Sequence, residues 1–324
     1  MNPQVLLLGQ LTIDDTVPAE PGPWQRKLGG NALYSLAGAK LWCDPDALGV
    51  VARVPADLPF DIFAILENAG VSTRGLTVVQ QNALVEWITY EEDGNRQSFP
   101  RNPELRDPSA DLVTLQRRYL THIETISASH HDIPSDWLPA EAIHLAPQVA
   151  ERHSPSCVAL SSQTKHLSVD PSPHYSRGRS AIDIRALLRG ATAFLPSQAE
   201  IEHLGIGLTD WLEPVRALRS AGFSEVLLKR GALGSLLSFG DTTEIQVLPA
   251  ATALPRDLTG AGDAFSGAYA ASRSMGKTPE EATARATVAA AMIIECFGAE
   301  EALQLKPQDA RARLNTHLNG QNVR

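Results

Sequence analysis

A chain of 324 residues with 43% hydrophobic composition is long enough to bury a large core, and its length fits either one large α/β domain or two smaller ones. Its formal net charge of −9 at pH 7 argues against a nucleic-acid backbone as partner, because that affinity comes from clustered Lys and Arg releasing counterions. A phosphate-bearing partner should therefore be small and held locally.

The opening "MNPQVLLLG" has no basic leader, and its apolar run Val5 to Leu8 falls far short of the roughly 20 residues of a membrane span, so a cytoplasmic protein without a membrane partner is expected. "QVLLLG" reads as a strand buried on both faces. Short apolar runs closed by Pro, Gly or Ser follow at 46–54, 141–147, 156–163, 165–173, 191–197 and 225–231, and each predicts a further strand. Between them, 60–70 and 209–222 have helical period and end in Gly. Strands alternating with helices predict right-handed crossovers and a layered, mainly parallel sheet.

One segment breaks the rhythm. "NALVEWITYEEDGNRQSFPRN" (82–102) alternates apolar and polar residues around "EEDGN", as a hairpin with one wet face does. Gln10 to Leu28 holds three prolines and no helical period. These two pieces, about 10–32 and 82–103, are expected to form a small β lid on a single domain spanning 1–324. The polar tail beyond Lys306 predicts a terminal helix. Cys43, Cys157 and Cys296 are far apart with no CxxC pair and predict reduced thiols. No HExxH is present, and His130 and His131 lie in a polar loop, so no His-ligated metal is expected.

The stretch "LPRDLTGAGDAFSGAYAASRSMG" (254–276) carries the chemistry. Ala264, Gly267, Ala268 and Ala271 at helical spacing predict a tightly packed helix from about Asp263, closed by Gly276. The free amides and positive dipole end of its first turn form an anion site, and Gly260, Ala261 and Gly262 let phosphate oxygens reach the backbone. A carboxylate there repels the phosphate unless it accepts a proton from a hydroxyl attacking that phosphate, which makes Asp263 the candidate general base. A plain helix cap is the bland alternative. "MGKT" (275–278) lacks the first Gly of a Walker A loop; "TPEE" reads instead as a capping box with Thr278 as N-cap and Pro279 at the first helical position.

"DLTGAGDAF", Asp257 to Phe265, resembles the C-terminal signature of the ribokinase-like (PfkB) carbohydrate kinases, D-[ST]-T-G-A-G-D-x-F, and departs from it only at Leu258. "GQLTID" (9–14) resembles the first-strand motif ending in a sugar-binding acid, here Asp14. "KLGGNALYSLAGAKLW" (27–42) resembles the N-terminal glycine signature, which points to Gly29, Gly30 and Asn31 against the substrate. "ENAGVSTRGL" (67–76) resembles the segment leading into the lid. Where ribokinase-type members have Asn after the glycine pair, this chain has Tyr34. Where the family has N-x-x-E, it has "SQAE", with Ser197 in place of Asn and Glu200 retained. The resemblance implies a doubly wound α/β fold with a β lid, ATP and Mg²⁺ as cofactors, and Glu200 organising Mg²⁺ through water. It further implies Lys229, Gly231 and Gly234 of "LLKRGALGSLL" at the nucleotide, Thr287 and Ala290 of "RATVAAAMIIECFGA" near its base, and a monovalent cation such as K⁺ at Asp257 and the Gly298 loop. As free-standing patterns, "GALG" reads better as a turn and the Ala-rich helix as core.

The expected activity is transfer of the γ-phosphoryl group of ATP to a hydroxyl of a sugar or sugar-like polyol. A nucleoside kinase of the same fold and a noncatalytic sugar sensor are the rivals, and Tyr34 suits either a base or an apolar sugar face. Arg101, at the exit of the hairpin, is a candidate substrate contact against the alternative of a solvated surface arginine. A homodimer through the lid, using Leu84 and Trp87, is the expected macromolecular partner, with a cover over the bound sugar as the alternative for Trp87.

Overall fold

The computed structural model describes residues 2–16, 24–90, 96–202, 210–242 and 244–321. In chain order its strands are β1 (Val5–Gln10), β2 (Thr12–Thr16), β3 (Gln25–Gly29), β4 (Leu48–Pro55), β5 (Leu76–Val79), β6 (Leu84–Tyr90) and β7 (Arg96–Pro100). They continue as β8 (Ala140–Leu145), β9 (Thr164–Val169), β10 (Ala193–Phe194), β11 (Glu225–Lys229), β12 (Ser235–Phe239) and β13 (Gln246–Leu248). A nine-stranded sheet runs in the order β13-β12-β11-β10-β9-β8-β1-β4-β5 and is parallel except where β12 meets β11 and β13. β1 is buried along its whole length. Leu6 and Leu8 pack with Ile143, Leu167 and Val169 on one face, while Val5 and Leu7 pack with Val50, Leu33 and Leu36 on the other. A strand covered on both faces needs an unbroken apolar run, which is why "VLLL" occurs there.

Most predicted strands fall where expected. The exception is 156–163, which belongs to the helix Ala150–Leu160. His153, Ser156, Cys157 and Leu160 are its buried residues, a spacing of three, four and seven that fits a helix face and no strand. The strand predicted over 165–173 stops at Val169, ahead of Pro171 and Pro173. The helices expected in 60–70 and 209–222 are Ile62–Asn68 and Leu212–Ser220, and the tail forms Pro307–Gln321. Thr278 caps the helix Pro279–Ile293 with the reciprocal Glu281 bond of a capping box. Cys43, Cys157 and Cys296 are free thiols. No helix among the described residues is long and apolar enough to cross a membrane.

The segments expected to make the lid supply a separate sheet, in the order β3-β2-β6-β7. Its "EEDGN" turn and its three prolines, at 18, 21 and 23, lie outside the described residues. Thr12 pairs with both Gly29 and Leu84, and Glu86 pairs with Pro100. All four chain crossings, at Leu11, Gly30, Ala83 and Arg101, therefore leave from one end of this sheet. Leu84 is buried against Leu105 and Ile123, so of the two residues expected at a dimer contact it is unavailable.

Candidate active site

The helix Ala261–Ser274 begins two residues before Asp263, with Gly260 as N-cap in the left-handed region at φ 79°. Asp257 shapes the turn before it: its Oδ1 accepts the Thr259 amide at 2.9 Å. The amides of Arg256 and Asp257 both donate to the Ile294 carbonyl, at 2.7 and 3.1 Å. Gly260 is also required for space, because a Cβ there would lie 2.1 Å from Cγ of Tyr34, whose ring rests on the glycine. Asp263 stands in the first helical turn, where backbone N–H groups lack intrahelical acceptors. Of the three amides expected at an anion, that of Ala261 makes a long 3.4 Å bond to the Leu258 carbonyl.

Tyr34 arrives on the helix Asn31–Lys40, capped by Gly30 at φ 107°. Burial pushes its phenol well above the usual value, and Asp14, Asp257, Tyr90 and Asp263 push it the same way. The acid of "GQLTID" and the acid of "GAGD" thus act on one buried ring. Asp14, on β2, accepts the Thr12 hydroxyl at 2.8 Å. A Cβ on Gly29 would lie 1.9 Å from Asp14 Oδ2, so the carboxylate rests on bare backbone. The Asn31 side chain is spent on main chain, with Oδ1 accepting from the Gln10 amide and Nδ2 donating to the Pro147 carbonyl, each at 2.8 Å.

The two helices can meet closely enough for this because each presents glycine to the other. A Cβ on Gly38 would lie 2.0 Å from the Ala264 carbonyl oxygen, and one on Gly267 would lie 2.0 Å from that of Ser35. Arg101 does not join this group. Its Nη1 bonds Asp15 Oδ2 at 2.8 Å, Arg26 takes Oδ1 at 2.8 Å, and its guanidinium lies 5.0 and 5.3 Å from the Trp24 and Trp87 rings. Alternation along β2 puts Asp15 on the face opposite Asp14, and that buried carboxylate claims the arginine.

Beside Gly262 stands Lys229, the last residue of β11. Its amide donates to the Pro196 carbonyl at 2.8 Å, which sets the Ser197–Glu200 turn beside it. Ser197 bonds Glu200 Oε2 through its amide at 2.5 Å and its hydroxyl at 2.6 Å, so Glu200 is turned back as in a capping box. The Lys229 ammonium approaches Gly262, lying 3.4 Å from where a Cβ would be. It forms an ion pair with buried Asp170. Burial alone would lower the ammonium, but Asp170 and Glu200 outweigh it and hold it above its usual value. Gly231 and Gly234, at φ 55° and 78°, make the turn from β11 to β12, and a Cβ on Gly234 would lie 2.0 Å from the Leu248 carbonyl oxygen. Thr287 lines a cavity of about 260 Å³ with Leu248, Ala284, Leu314 and Leu318, while Ala290 is half-buried one turn on.

A family model for pfkB family carbohydrate kinases matches residues 10–306. The chain belongs to that family. As a pfkB kinase it is a phosphotransferase with an alcohol group as acceptor. It is 29% identical over 248 residues to an uncharacterized sugar kinase of Archaeoglobus fulgidus, covering 75% of this chain and 88% of that one. Among solved structures, a nucleoside kinase of Burkholderia thailandensis in complex with inosine superposes with a TM-score of 0.73 at 16% identity, covering 97% of this chain and 99% of that one. A putative ribokinase II of E. coli in complex with ATP and Mg²⁺ superposes with a TM-score of 0.68 at 18% identity, covering 97% and 100%. At such identities these structures establish for the pfkB kinase its ribokinase-like fold: a large, mostly parallel sheet flanked by helices, with a second smaller sheet.

The structure adds residues to the candidate site that no sequence motif marks. Asp170, one residue beyond β9, meets Lys229 and accepts the Ser266 hydroxyl at 2.8 Å. Tyr90, at the free end of β6, places its hydroxyl 3.0 Å from that of Thr259. Asp15 anchors Arg26 and Arg101. The one signal available beforehand was that Asp170 ends an apolar run and is followed by Pro, which equally describes a turn.

Proposed function

We propose that this pfkB kinase transfers the γ-phosphoryl group of ATP, taken as its Mg²⁺ complex, to a hydroxyl of a sugar or sugar-like polyol. The observation carrying this reading is the Tyr34 ring resting on Gly260 at the start of the Asp263 helix, with Asp14 and Asp263 both acting on that ring, which supports an acceptor site beside an anion-binding helix end. Asp263 accepts the proton of the attacking hydroxyl late in the reaction, and the amides of Gly260, Ala261 and Gly262 face the oxygens of the transferring group. Asp14, seated on Gly29 beside Gly30, takes paired hydroxyls of the acceptor, and Tyr34 limits the floor where an amide side chain would add another polar contact.

Lys229, Ser197, Gly231 and Gly234 border the phosphates and nucleoside in this reading, with Thr287 and Ala290 near the base. Glu200 offers the hard oxygen that suits Mg²⁺ through water. No cluster among the described residues can hold a metal alone, so phosphate oxygens and water would complete the shell. The E. coli neighbour with ATP and Mg²⁺ supports both cofactors. Asp257 and the Gly298 loop are the place for a monovalent cation, although the Lys27 stem and the Arg256 guanidinium already rest on that loop. Dimerisation is proposed through the outer face of the second sheet, where Trp24 and Phe99 are exposed, and sedimentation tests it.

An ADP-release assay on a panel of sugars, polyols and nucleosides tests the acceptor. Nucleosides belong in it because of the inosine-bound neighbour, and turnover on nucleosides alone would overturn the sugar assignment. Asp263→Asn should lower kcat by about 10²- to 10⁴-fold. Survival of transfer with less than about a tenfold loss refutes the general-base role.

A further inference from the structure

The Lys229 side chain is 11% exposed and its ammonium stands against Gly262, which makes it a fixed cation beside the amides of the helix end. A long lysine stem has many rotamers, and nothing in its own strand selects this one. What selects it comes from another strand. Asp170 follows β9, Lys229 ends β11, and β10 separates the two, so sheet order alone brings them together. Asp170 is 1% exposed, and its Oδ2 receives the ammonium and also the Ser266 hydroxyl at 2.8 Å. Ser266 is one helical turn beyond Asp263, and its hydroxyl is itself 3.4 Å from the ammonium. Among the described residues, Asp170 Oδ1 is buried with no hydrogen-bond partner.

We propose that Asp170 is a positioning residue that fixes the Lys229 ammonium against the Gly262 end of the anion site, so that the positive charge faces the phosphoryl group in flight. A buried ammonium deprived of its carboxylate must move toward water or lose its charge, and either change removes a charge from where it develops in the transition state. Ser266 completes the device by tying the same carboxylate oxygen to the helix that carries Asp263. Asp170 itself touches neither reactant.

The inference rests on the kinase reading above, and its test is scored on binding so that the two can fail separately. Affinities for ADP alone and for ADP with aluminium fluoride, a planar mimic of the transferring group, are measured by calorimetry with the accepted alcohol present. Asp170→Asn should weaken the aluminium fluoride complex by at least about tenfold and ADP alone by less than about threefold, with kcat falling and the KM for ATP nearly unchanged. Lys229→Met should weaken the aluminium fluoride complex at least as much, and more than it weakens ADP alone, and the double variant should be no worse than Lys229→Met. Equal weakening of both complexes, no weakening of either, or an additive double variant overturns the proposal. Should Asp170→Asn fail to fold, Ser266→Ala serves: it should weaken the aluminium fluoride complex by about threefold or more with ADP unchanged, and no change overturns the proposal. Asp263→Asn is run alongside, because retained turnover in that variant sinks the base assignment whatever Asp170 does.

Discussion

Gly38→Ala is a severe test of how the two halves of the site are held together. The added Cβ would lie 2.0 Å from the Ala264 carbonyl oxygen, 2.6 Å from its carbon and 2.7 Å from its Cα, all of them backbone atoms. Ordinary contact for such atoms is about 3.5 Å, so the helices must part by roughly 1.5 Å. Overpacking of this kind costs about 1–3 kcal/mol, and the upper end applies because no flexible side chain can yield. Alanine's better helix propensity returns about 1 kcal/mol, which leaves a net loss of about 2 kcal/mol. Activity should fall further than stability, because Ala264 adjoins Asp263, and a displacement of about 1 Å at reacting groups costs up to about 100-fold. Urea denaturation and kcat on the accepted alcohol measure the two effects. Gly320→Ala, in the terminal helix with nothing within 4 Å of the added Cβ, is the control: it should leave kcat unchanged and should not lower the midpoint. A Gly38→Ala protein with an unshifted midpoint and full kcat would refute the close-crossing argument.

Gly29→Ala puts a Cβ 1.9 Å from Asp14 Oδ2 and should displace that carboxylate, raising the acceptor KM by about 10- to 100-fold, the worth of a hydrogen bond to a charged group. An unchanged KM would remove Asp14 from the acceptor floor. Tyr90→Phe deletes the 3.0 Å bond to Thr259 and should lower kcat/KM by about fivefold, the worth of one neutral hydrogen bond. Acid should destabilise the fold through its buried histidines, because burial lowers His144 to about 3 and His153 to about 4, both below the ordinary value of 6.5. The unfolded chain then binds the extra protons, so stability is complete above about pH 6.5 and declines by about 1.4 kcal/mol per histidine per pH unit below it. Replacing His144 with Gln should flatten that slope in denaturation curves taken from pH 7 to 5.

The layered sheet is legible because strands buried on both faces must be apolar, as "VLLL" is. Length and composition alone do not separate such a run from a buried helix, which is how 156–163 reads as a strand until its buried residues are seen at helical spacing. The glycines of 29–30 and 260–262 announce close approach to something; what approaches Gly29 is Asp14, and what approaches Gly260 is Tyr34. The pairings that complete the site span long stretches of chain, with 59 positions between Asp170 and Lys229 and 169 between Tyr90 and Thr259. No local pattern encodes such meetings, since they follow from strand order. Arg101 shows the reverse case, a residue in the expected neighbourhood whose charge is claimed by an acid facing the other way.

The second sheet is tied to the rest of the chain at one end, through Leu11, Gly30, Ala83 and Arg101, where Gly30 lies against the Gln10 carbonyl and Leu11. Asp14 is two residues in from that end, whereas Tyr90 closes β6 at the opposite one, as the tip of a cantilever. A phenol-to-threonine bond therefore fastens the tip to the very turn from which Gly260 starts its helix.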